Sequence, residues 1–342
     1  MDARRVKRVM LGRGGAPLRL AYRGATAAAV RGVRALDRVT GERSDPSTRA
    51  ETARTVTMAV KTFQRPDIAR RLVRSARTVF DGRIVVADDS ATPMTFPEPG
   101  VDVIALPFNS GVSVGRNAAL DAVGTEFVLV TDDDIVFTRA TDVDAARRRL
   151  QSCPEIDVVG FLRVELPRWM AHDFDADALF AGHREPLRPW GELVCGLPVR
   201  YKIEQVYLAR TEAVGRVRWD PRIRMVDHAD FFSRAAGELV VVLDTSIRAY
   251  HAQTPFDAEY ARYRQDVAAD LRYLSRVWGA RAAGRTDEGS LPTSEGPAPT
   301  AEGWGPANEG PVAANEGPVP TTEGPVPMNE GPPPTGAGPR RA

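Results

Sequence analysis

The sequence predicts an α/β fold, a Rossmann-like mixed sheet flanked by helices, and three observations carry that expectation. Short, wholly apolar runs of strand length alternate with segments of helical spacing. Those runs end in polar or acidic residues. One of them, at 127–130 within TEFVLVTDDDIVFT (125–138), stops at Asp132, Asp133 and Asp134 before apolar sequence resumes at Ile135, Val136 and Phe137. Three adjacent carboxylates repel one another and cost on the order of several kcal/mol if buried unpaired. A solvated acidic turn, the alternative reading, would carry Gly, Asn or Ser beside them, and here the walls are hydrophobic. The carboxyl ends of strands are where an open α/β sheet binds ligand. A hard divalent cation holding a diphosphate would neutralise such a cluster.

The 342 residues allow one large or two ordinary domains, and an apolar content of 43% suffices for a sizeable core. The net charge of +1 identifies no partner. Only Lys7, Lys61 and Lys202 are lysines, so the positive charge is nearly all Arg. That bias reads as GC-rich, bacterial coding and not as a nucleic-acid surface. Cys153 and Cys195 are too few for a disulfide framework or a zinc site and suit a reducing compartment, so a cytoplasmic location is expected. No stretch of 18 or more apolar residues and no signal peptide is present, which predicts no membrane span.

In chain order, residues 1–54 form a basic N-terminal segment. Alternating Arg and small apolar residues at 18–39 predict a basic amphipathic helix of the kind that lies peripherally on an anionic membrane, with a solvated lead-in as the alternative. Asp45, Pro46 and Ser47 mark a linker. The ordered domain, 55–283, opens with a strand at 56–60, after which Lys61, Thr62 and Phe63 emerge. A helix starts at Arg65, Pro66 and Asp67, carries Ile68, Leu72, Val73, Ala76 and Val79 at helical spacing, and ends at Gly82. The strand at 84–86 ends in Asp88, Asp89 and Ser90. The strand at 101–106 leads to Asn109, Ser110 and Gly111, and a helix at 114–123 precedes the strand with the triple Asp.

Beyond it, strands are expected at 157–161, 206–208, 239–243 and 246–250, the last followed by His251. Residues 163–200, rich in Trp, His, Pro and Gly, read as a binding loop. Asp227 and Asp230 precede a short apolar helix, where carboxylates favour the positive end of the dipole, and Asp227 alone would serve as an N-cap. An amphipathic helix is expected at 257–278. From 284 to 342 Glu-Gly recurs every seven residues, at Glu295, Glu302, Glu309, Glu316, Glu323 and Glu330, amid Pro, Ala, Thr and Asn. Pro and Gly forbid a helix there, so a disordered tail is expected. Neither a GxGxxG fingerprint nor a Gly-rich phosphate cradle follows the first strand.

Five segments, over roughly residues 55–256, resemble one known family. They are VKTF at 60–63, ADDS at 87–90, N-x-G-x-x-x-G-R-N at 109–117 with VTDDD at 130–134, LARTE at 208–212, and WDPR at 219–222 with HADFF at 228–232. Together they resemble GT-A glycosyltransferases of the family-2 type, and within these the ganglioside-type β-N-acetylgalactosaminyltransferases. The resemblance implies a single GT-A catalytic domain moving a sugar, N-acetylhexosamine foremost, from a UDP-sugar to a hydroxyl of a glycan, glycolipid or other acceptor. It implies Mn²⁺ or Mg²⁺ held by Asp134, with Asp132 and His251 as further ligands. Asp88 and Asp89 would meet the nucleobase and ribose. Arg116 would line the diphosphate site, and Thr62, Arg65, Asn117, Asp132 and Asp133 would complete the donor set. Inverting enzymes of this type use a carboxylate base, Asp230 by alignment; because the usual Glu-Asp pair is absent and Asp227 and His228 precede it, Asp227 is the alternative base. His228 would orient an acceptor or pair with a carboxylate.

Two rivals follow from the same residues. A nucleotidyltransferase also uses Asp-rich strand ends, and a degenerate, non-catalytic sugar- or nucleotide-binding module would lack the carboxylates that are present here. A DxDxT phosphatase is disfavoured by Val136, and an EF-hand by Val136 and Phe137.

Overall fold

The computed structural model describes residues 13–40, 45–253, 263 and 267–279. The repeat segment at 284–342, and most of the first half of the helix expected from 257, lie outside the described residues.

Helix α1 (Ala16–Thr40) realises the amphipathic N-terminal expectation, and α2 (Pro46–Thr55) follows. Asp45, Pro46 and Ser47, expected as a linker, instead open α2. The Asp45 carboxylate accepts the N–H groups of Ser47 (2.9 Å) and Thr48 (3.3 Å), and Pro46, with no N–H to satisfy, stands in the first turn. Then come β1 (Val56–Thr62), α3 (Pro66–Ala76), β2 (Ile84–Asp88), β3 (Val101–Ala105), α4 (Val112–Asp121), β4 (Phe127–Asp132) and β5 (Ile135–Val136). The second half comprises α5 (Val143–Ser152), β6 (Val158–Glu165), β7 (Met170–Ala171), β8 (Leu193–Val194), β9 (Leu197–Pro198) and β10 (Val206–Arg210). It closes with α6 (Thr211–Val217), α7 (Asp227–Ala235), β11 (Val241–His251) and α8 (Val267–Trp278).

The main sheet has the order β3-β2-β1-β4-β10-β6-β11-β5, with β7 on β6. Its first four strands are parallel, β10 runs antiparallel between β4 and β6, and β6 and β11 are parallel. Phe127, Val128 and Leu129 have no solvent exposure and Val130 only 2%, as a strand covered on both faces requires. One face of the sheet packs Leu72, Val73, Ala146 and Leu150, the other Ala119, Leu120, Phe231 and Phe232. A third, smaller cluster joins Val30 and Val33 of α1 to Val136, Leu166 and Ala252.

The two strands expected at 239–243 and 246–250 are one. In β11, residues 241–244 pair with 158–161, the register then shifts, and Arg248 to His251 pair with Leu162 to Glu165. The side-chain period of two makes any odd shift reverse which face each residue presents. Beyond the triple Asp, β5 lies antiparallel on the end of β11, His251 opposite Ile135, and the Ala252 N–H donates to the Asp134 carbonyl at 3.0 Å. That short pairing is what delivers the acidic strand end to His251.

Cys153 and Cys195, expected as thiols, form a disulfide with Cα atoms 6.4 Å apart. It ties the end of α5 to the turn between β8 and β9. Such bonds persist in oxidising compartments, so the cytoplasmic location argued from the cysteine count loses its basis. Among the described residues no helix is long and apolar enough to cross a membrane.

Closing a loop over the 42-residue separation restricts the unfolded chain by about 4 kcal/mol in the chain-entropy account. Cys195→Ala is therefore expected to lower unfolding free energy by about 2–4 kcal/mol. Urea unfolding of the variant against the oxidised wild type measures this; a dithiothreitol-treated wild type should match the variant.

Candidate active site

Each Asp of the triple meets a cation, Asp133 and Asp134 sharing Arg65. Asp132, partly exposed, accepts from Arg116 Nη2 at 2.7 Å. Asp133, 1% exposed, accepts from Thr62 Oγ1 at 2.7 Å and from Arg65 Nη2. Asp134 accepts from Arg65 Nη1 at 3.2 Å through Oδ2, while its Oδ1 lies 3.1 Å from His251 Nε2. Arg71 Nη2 donates to the carbonyls of Asp134 (3.3 Å) and Ala252 (3.0 Å). Burial opposes the charge on Asp134, yet His251 and Arg65 hold its carboxyl well below the usual range. Burial pushes Asp133 up in spite of Arg65.

Behind His251 stands Glu165, the last residue of β6, directly paired with His251 across the parallel strands. The Nδ1–H of His251 donates to both Glu165 oxygens, at 2.8 and 2.9 Å, which leaves Nε2 as the nitrogen facing Asp134. Burial works against an imidazolium here, but Asp134 more than offsets it and the histidine is raised to about 9. The position at Nε2 and Oδ1 thus favours positive charge.

This geometry fits a divalent cation. Two ligands of an octahedral ion at about 2.1 Å, taken at right angles, lie about 3 Å apart, which is the separation of Oδ1 and Nε2. A carboxylate behind a ligating histidine is the usual support that fixes its ring. Among the described residues no three His, Cys, Asp or Glu side chains converge as a ligand set. Asp132 faces Arg116 and not this pair, so the structure brings together two of the three expected ligands. Mg²⁺ and Mn²⁺ are commonly held by one or two protein groups, the remaining positions going to phosphate oxygens and water.

Arg116 joins the two halves of the site. Its Nε donates to Asp227 Oδ2 at 2.7 Å while Nη2 holds Asp132, its guanidinium lies 5.8 Å from the Trp219 ring, and Nη1 is buried with no hydrogen-bond partner among the described residues. Burial alone would discharge it; Asp227 and Asp132 instead keep its pKa above the ordinary arginine value. Asp227 is the first residue of α7, not its N-cap, which is Val226. Burial raises the Asp227 carboxyl even against Arg116. Tyr207 of β10 reaches the same region from the sheet, its hydroxyl buried and unpartnered among the described residues.

Asp230 sits elsewhere. Its Oδ2 accepts from Arg234 Nε at 2.8 Å and its Oδ1 from Trp278 Nε1 at 3.0 Å, beneath α8. Helix α8 further fixes the approach to α7, since Asp270 accepts the N–H groups of Arg224, Met225 (2.7 Å) and Val226. His228 pairs with a backbone carbonyl and not with a carboxylate: Nε2–H donates to Ile203 O at 2.6 Å, and burial holds the ring well below its ordinary value.

Three expected donor contacts are engaged in shaping loops. Asp88 is fully buried and accepts the N–H groups of Ser90 (2.9 Å) and Met94 (2.8 Å). Asp89 takes Lys61 Nζ at 2.5 Å and the Gly111 N–H at 3.0 Å. Asn117 clamps the backbone of Trp219, donating to its carbonyl at 2.7 Å and accepting its N–H at 3.0 Å. The glycines of that motif have separate reasons. Gly111 adopts φ +100° under Arg224, and a Cβ on Gly115 would lie 2.4 Å from the Lys61 stem.

Sequence reasoning missed Glu165, Arg71 and Tyr207. Glu165 carried a weaker signal, since Arg163 and Val164 separate it from the apolar run at 158–162.

Residues 57–163, which run from β1 into β6 and hold the triple Asp with its arginines, match the family model described as glycosyl transferase family 2. Over those residues the chain is similar to family 2 glycosyltransferases. The mouse β-1,4 N-acetylgalactosaminyltransferase 1 is 34% identical over 241 residues, covering 65% of this chain and 45% of that protein. The human enzyme of the same name gives the same figures. The chain thus spans less than half the length of these curated relatives. Among solved structures, S. aureus TarS 1–349 superposes loosely, with a TM-score of 0.45 and 16% identity over 64% of this chain and 65% of that one. TarS 1–349 in complex with UDP gives the same score and identity over 68% and 75%. The mixed sheet flanked by helices is the α/β architecture expected from the sequence.

Two outcomes follow from the buried charges. Arg116→Met strands two carboxylates and is expected to cost about 3–5 kcal/mol of stability. Arg70→Met, at the exposed pair with Asp67, is expected to cost under about 1 kcal/mol in the same urea titration. The second concerns Lys202, 5% exposed with its Nζ 4.2 Å above the Phe174 ring, which burial lowers to about 8. Its folded value lies below its unfolded value, so the unfolded chain binds the extra proton between about pH 8 and 10.5, and this contribution makes stability rise with pH across that window. Lys202→Met is expected to abolish that rise and to stabilise the protein at pH 7 by up to about 3 kcal/mol, read from unfolding curves across the range.

Proposed function

We propose that this protein is a metal-dependent, inverting glycosyltransferase that moves a sugar, an N-acetylhexosamine foremost, from a UDP-sugar to an acceptor hydroxyl on a glycan or glycolipid. The observation that carries the reading is the approach of Asp134 Oδ1 to His251 Nε2, backed by Glu165 and flanked by Arg65 and Arg116. The names of the curated relatives support the sugar and the class of reaction. Asp134 and His251 would hold Mn²⁺ or Mg²⁺, which supplies Lewis-acid neutralisation of a leaving diphosphate. Arg116, through its free Nη1, offers a fixed positive donor to a phosphate oxygen.

Asp227 is the base in this reading. Its carboxyl is buried, raised, and in the same cluster as Asp132, whereas both oxygens of Asp230 are committed to Arg234 and Trp278. The acceptor oxygen attacks the anomeric carbon as its proton passes to Asp227. The bond from that carbon to the diphosphate oxygen breaks, UDP leaves with the electron pair, and the anomeric configuration inverts. The irregular segment 166–200 supplies the acceptor side, and the basic N-terminal helix brings the protein to a membrane surface where a lipid-linked acceptor would reside.

Calorimetric titration of UDP into the full chain, with and without Mn²⁺, tests the donor site. Binding is expected only with the metal and is expected to vanish in Asp134→Ala; equal heats in all arms would defeat the proposal. Asp227→Asn is expected to lower the transfer rate roughly 10²–10⁴-fold with UDP affinity retained, while Asp230→Asn changes it little. The opposite ranking would return the base to Asp230.

A further inference from the structure

We propose that one face of α1, together with Trp169 and Met170, is a docking surface for an anionic lipid bilayer that holds the active site against the membrane. The inference rests on the membrane-peripheral part of the reading above and names the surface responsible. Helix α1 spans 25 residues and carries five arginines against one acid, Asp37. That acid is turned inward: its carboxylate accepts the Arg139 N–H at 2.7 Å, and Arg139 Nη1 donates to the Asp37 carbonyl at 2.7 Å. The one acid of the helix is thus engaged inward, while Arg31, Arg34 and Arg38 follow one another at helical spacing.

The helix is not loosely attached. Thr26, Val30 and Val33 are buried, and the two valines pack with Val136, Leu166 and Ala252. Val136 pairs with Tyr250, and Ala252 follows His251, so the inner face of α1 rests on the rim of the active site. The outer face is apolar where a solvated helix would be polar. Leu18 is 49% exposed, Leu36 62% and Val39 85%. Leu18 and Leu36 are 18 residues apart, five full turns, and so lie on one line. Ala21, Ala25, Ala28 and Ala35, all exposed, occupy the same side at spacings of three, four and seven. Arg31, Arg34 and Arg38, at i, i+3 and i+7, border it.

This distribution is that of an interfacial helix: an apolar face of modest hydrophobicity with arginines along its edge, able to keep their guanidinium groups among headgroups while the stems lie on the acyl boundary. An aromatic residue adjoins it. Trp169, 57% exposed, contacts the ring of Tyr250 at 6.3 Å, and Tyr250 packs against the cluster that seats Val30 and Val33. Met170 beside it is 37% exposed. Tryptophan is the side chain most suited to the headgroup boundary. The charge decides the lipid: Arg31, Arg34 and Arg38 along the edge of the face select phosphatidylglycerol-like or other anionic headgroups over zwitterionic ones.

The test is co-sedimentation of the full chain with vesicles of phosphatidylcholine alone or mixed with phosphatidylglycerol. Wild type is expected to sediment only with the anionic mixture. Arg31→Gln/Arg34→Gln/Arg38→Gln is expected to weaken partitioning by about 100-fold, some fivefold per arginine. Leu18→Ser/Leu36→Ser/Val39→Ser, at unchanged charge, is expected to weaken it as well. UDP binding is measured on every variant. Unchanged UDP binding with lost sedimentation supports the surface; intact UDP binding with no vesicle binding by wild type, or with equal binding by all three proteins, overturns it. Loss of UDP binding in wild type would instead defeat the donor-site reading and leave the vesicle result standing on its own. If light scattering shows a wild-type dimer that the serine variant dissolves, the face belongs to a second copy and the proposal fails.

Discussion

Neutralising three consecutive carboxylates inside a hydrophobic wall is the constraint on which the rest of this structure depends. An unpaired buried carboxylate is among the most destabilising groups a fold can contain. Here each has a cation from a different element: Arg116 of α4 for Asp132, Arg65 ahead of α3 for Asp133, and His251 at the end of β11 for Asp134. The three come from 16, 68 and 117 residues away in sequence. Strand order, helix placement and the long reach of β11 are all needed to bring them to one strand end.

The arrangement is also unfinished in a particular sense. Arg116 Nη1 and the Tyr207 hydroxyl are buried without hydrogen-bond partners among the described residues. Buried polar groups in folded proteins are ordinarily satisfied, and exceptions concentrate where a ligand or ion supplies the partner. Around these atoms the supports are complete: Glu165 fixes His251, Asn117 fixes the backbone of Trp219 beneath Arg116, and Asp270 collects the N–H groups that lead into α7. A rigid frame around unsatisfied atoms is what preorganisation requires.

Much of this was legible in the sequence because it follows local rules. Apolar runs that stop at an acid marked β2 and β4 with Asp88, Asp89 and the triple Asp, and helical spacing marked α3 and the later part of α8. What local rules could not give is which partner an acid takes. Asp88 reads like a ligand contact, yet its oxygens are consumed by the amides of Ser90 and Met94. Asp230 reads as a free carboxylate, yet its Oδ1 accepts from Trp278, 48 residues on. Cys153 and Cys195 look like isolated thiols until α5 and the β8–β9 turn are placed side by side. The N-capping Asp45 disguised a helix start as a linker. Each of these is a long-range pairing or a short polar signal with two structural meanings.

The register shift in β11 has a consequence for how this site can vary. Counted without interruption from Val241 opposite Val158, the residue facing Glu165 would be Arg248; the three residues taken up between Asp244 and Arg248 put His251 there instead. The pairing of His251 with Glu165 thus depends on those three residues being taken up outside the ladder. Excising Thr245, Ser246 and Ile247 would join Arg248 to Asp244 with Arg248 still opposite Leu162 and His251 still opposite Glu165. The length of that excursion can therefore change without moving the histidine, whereas one residue added or lost between Arg248 and His251 would turn a different side chain toward Glu165.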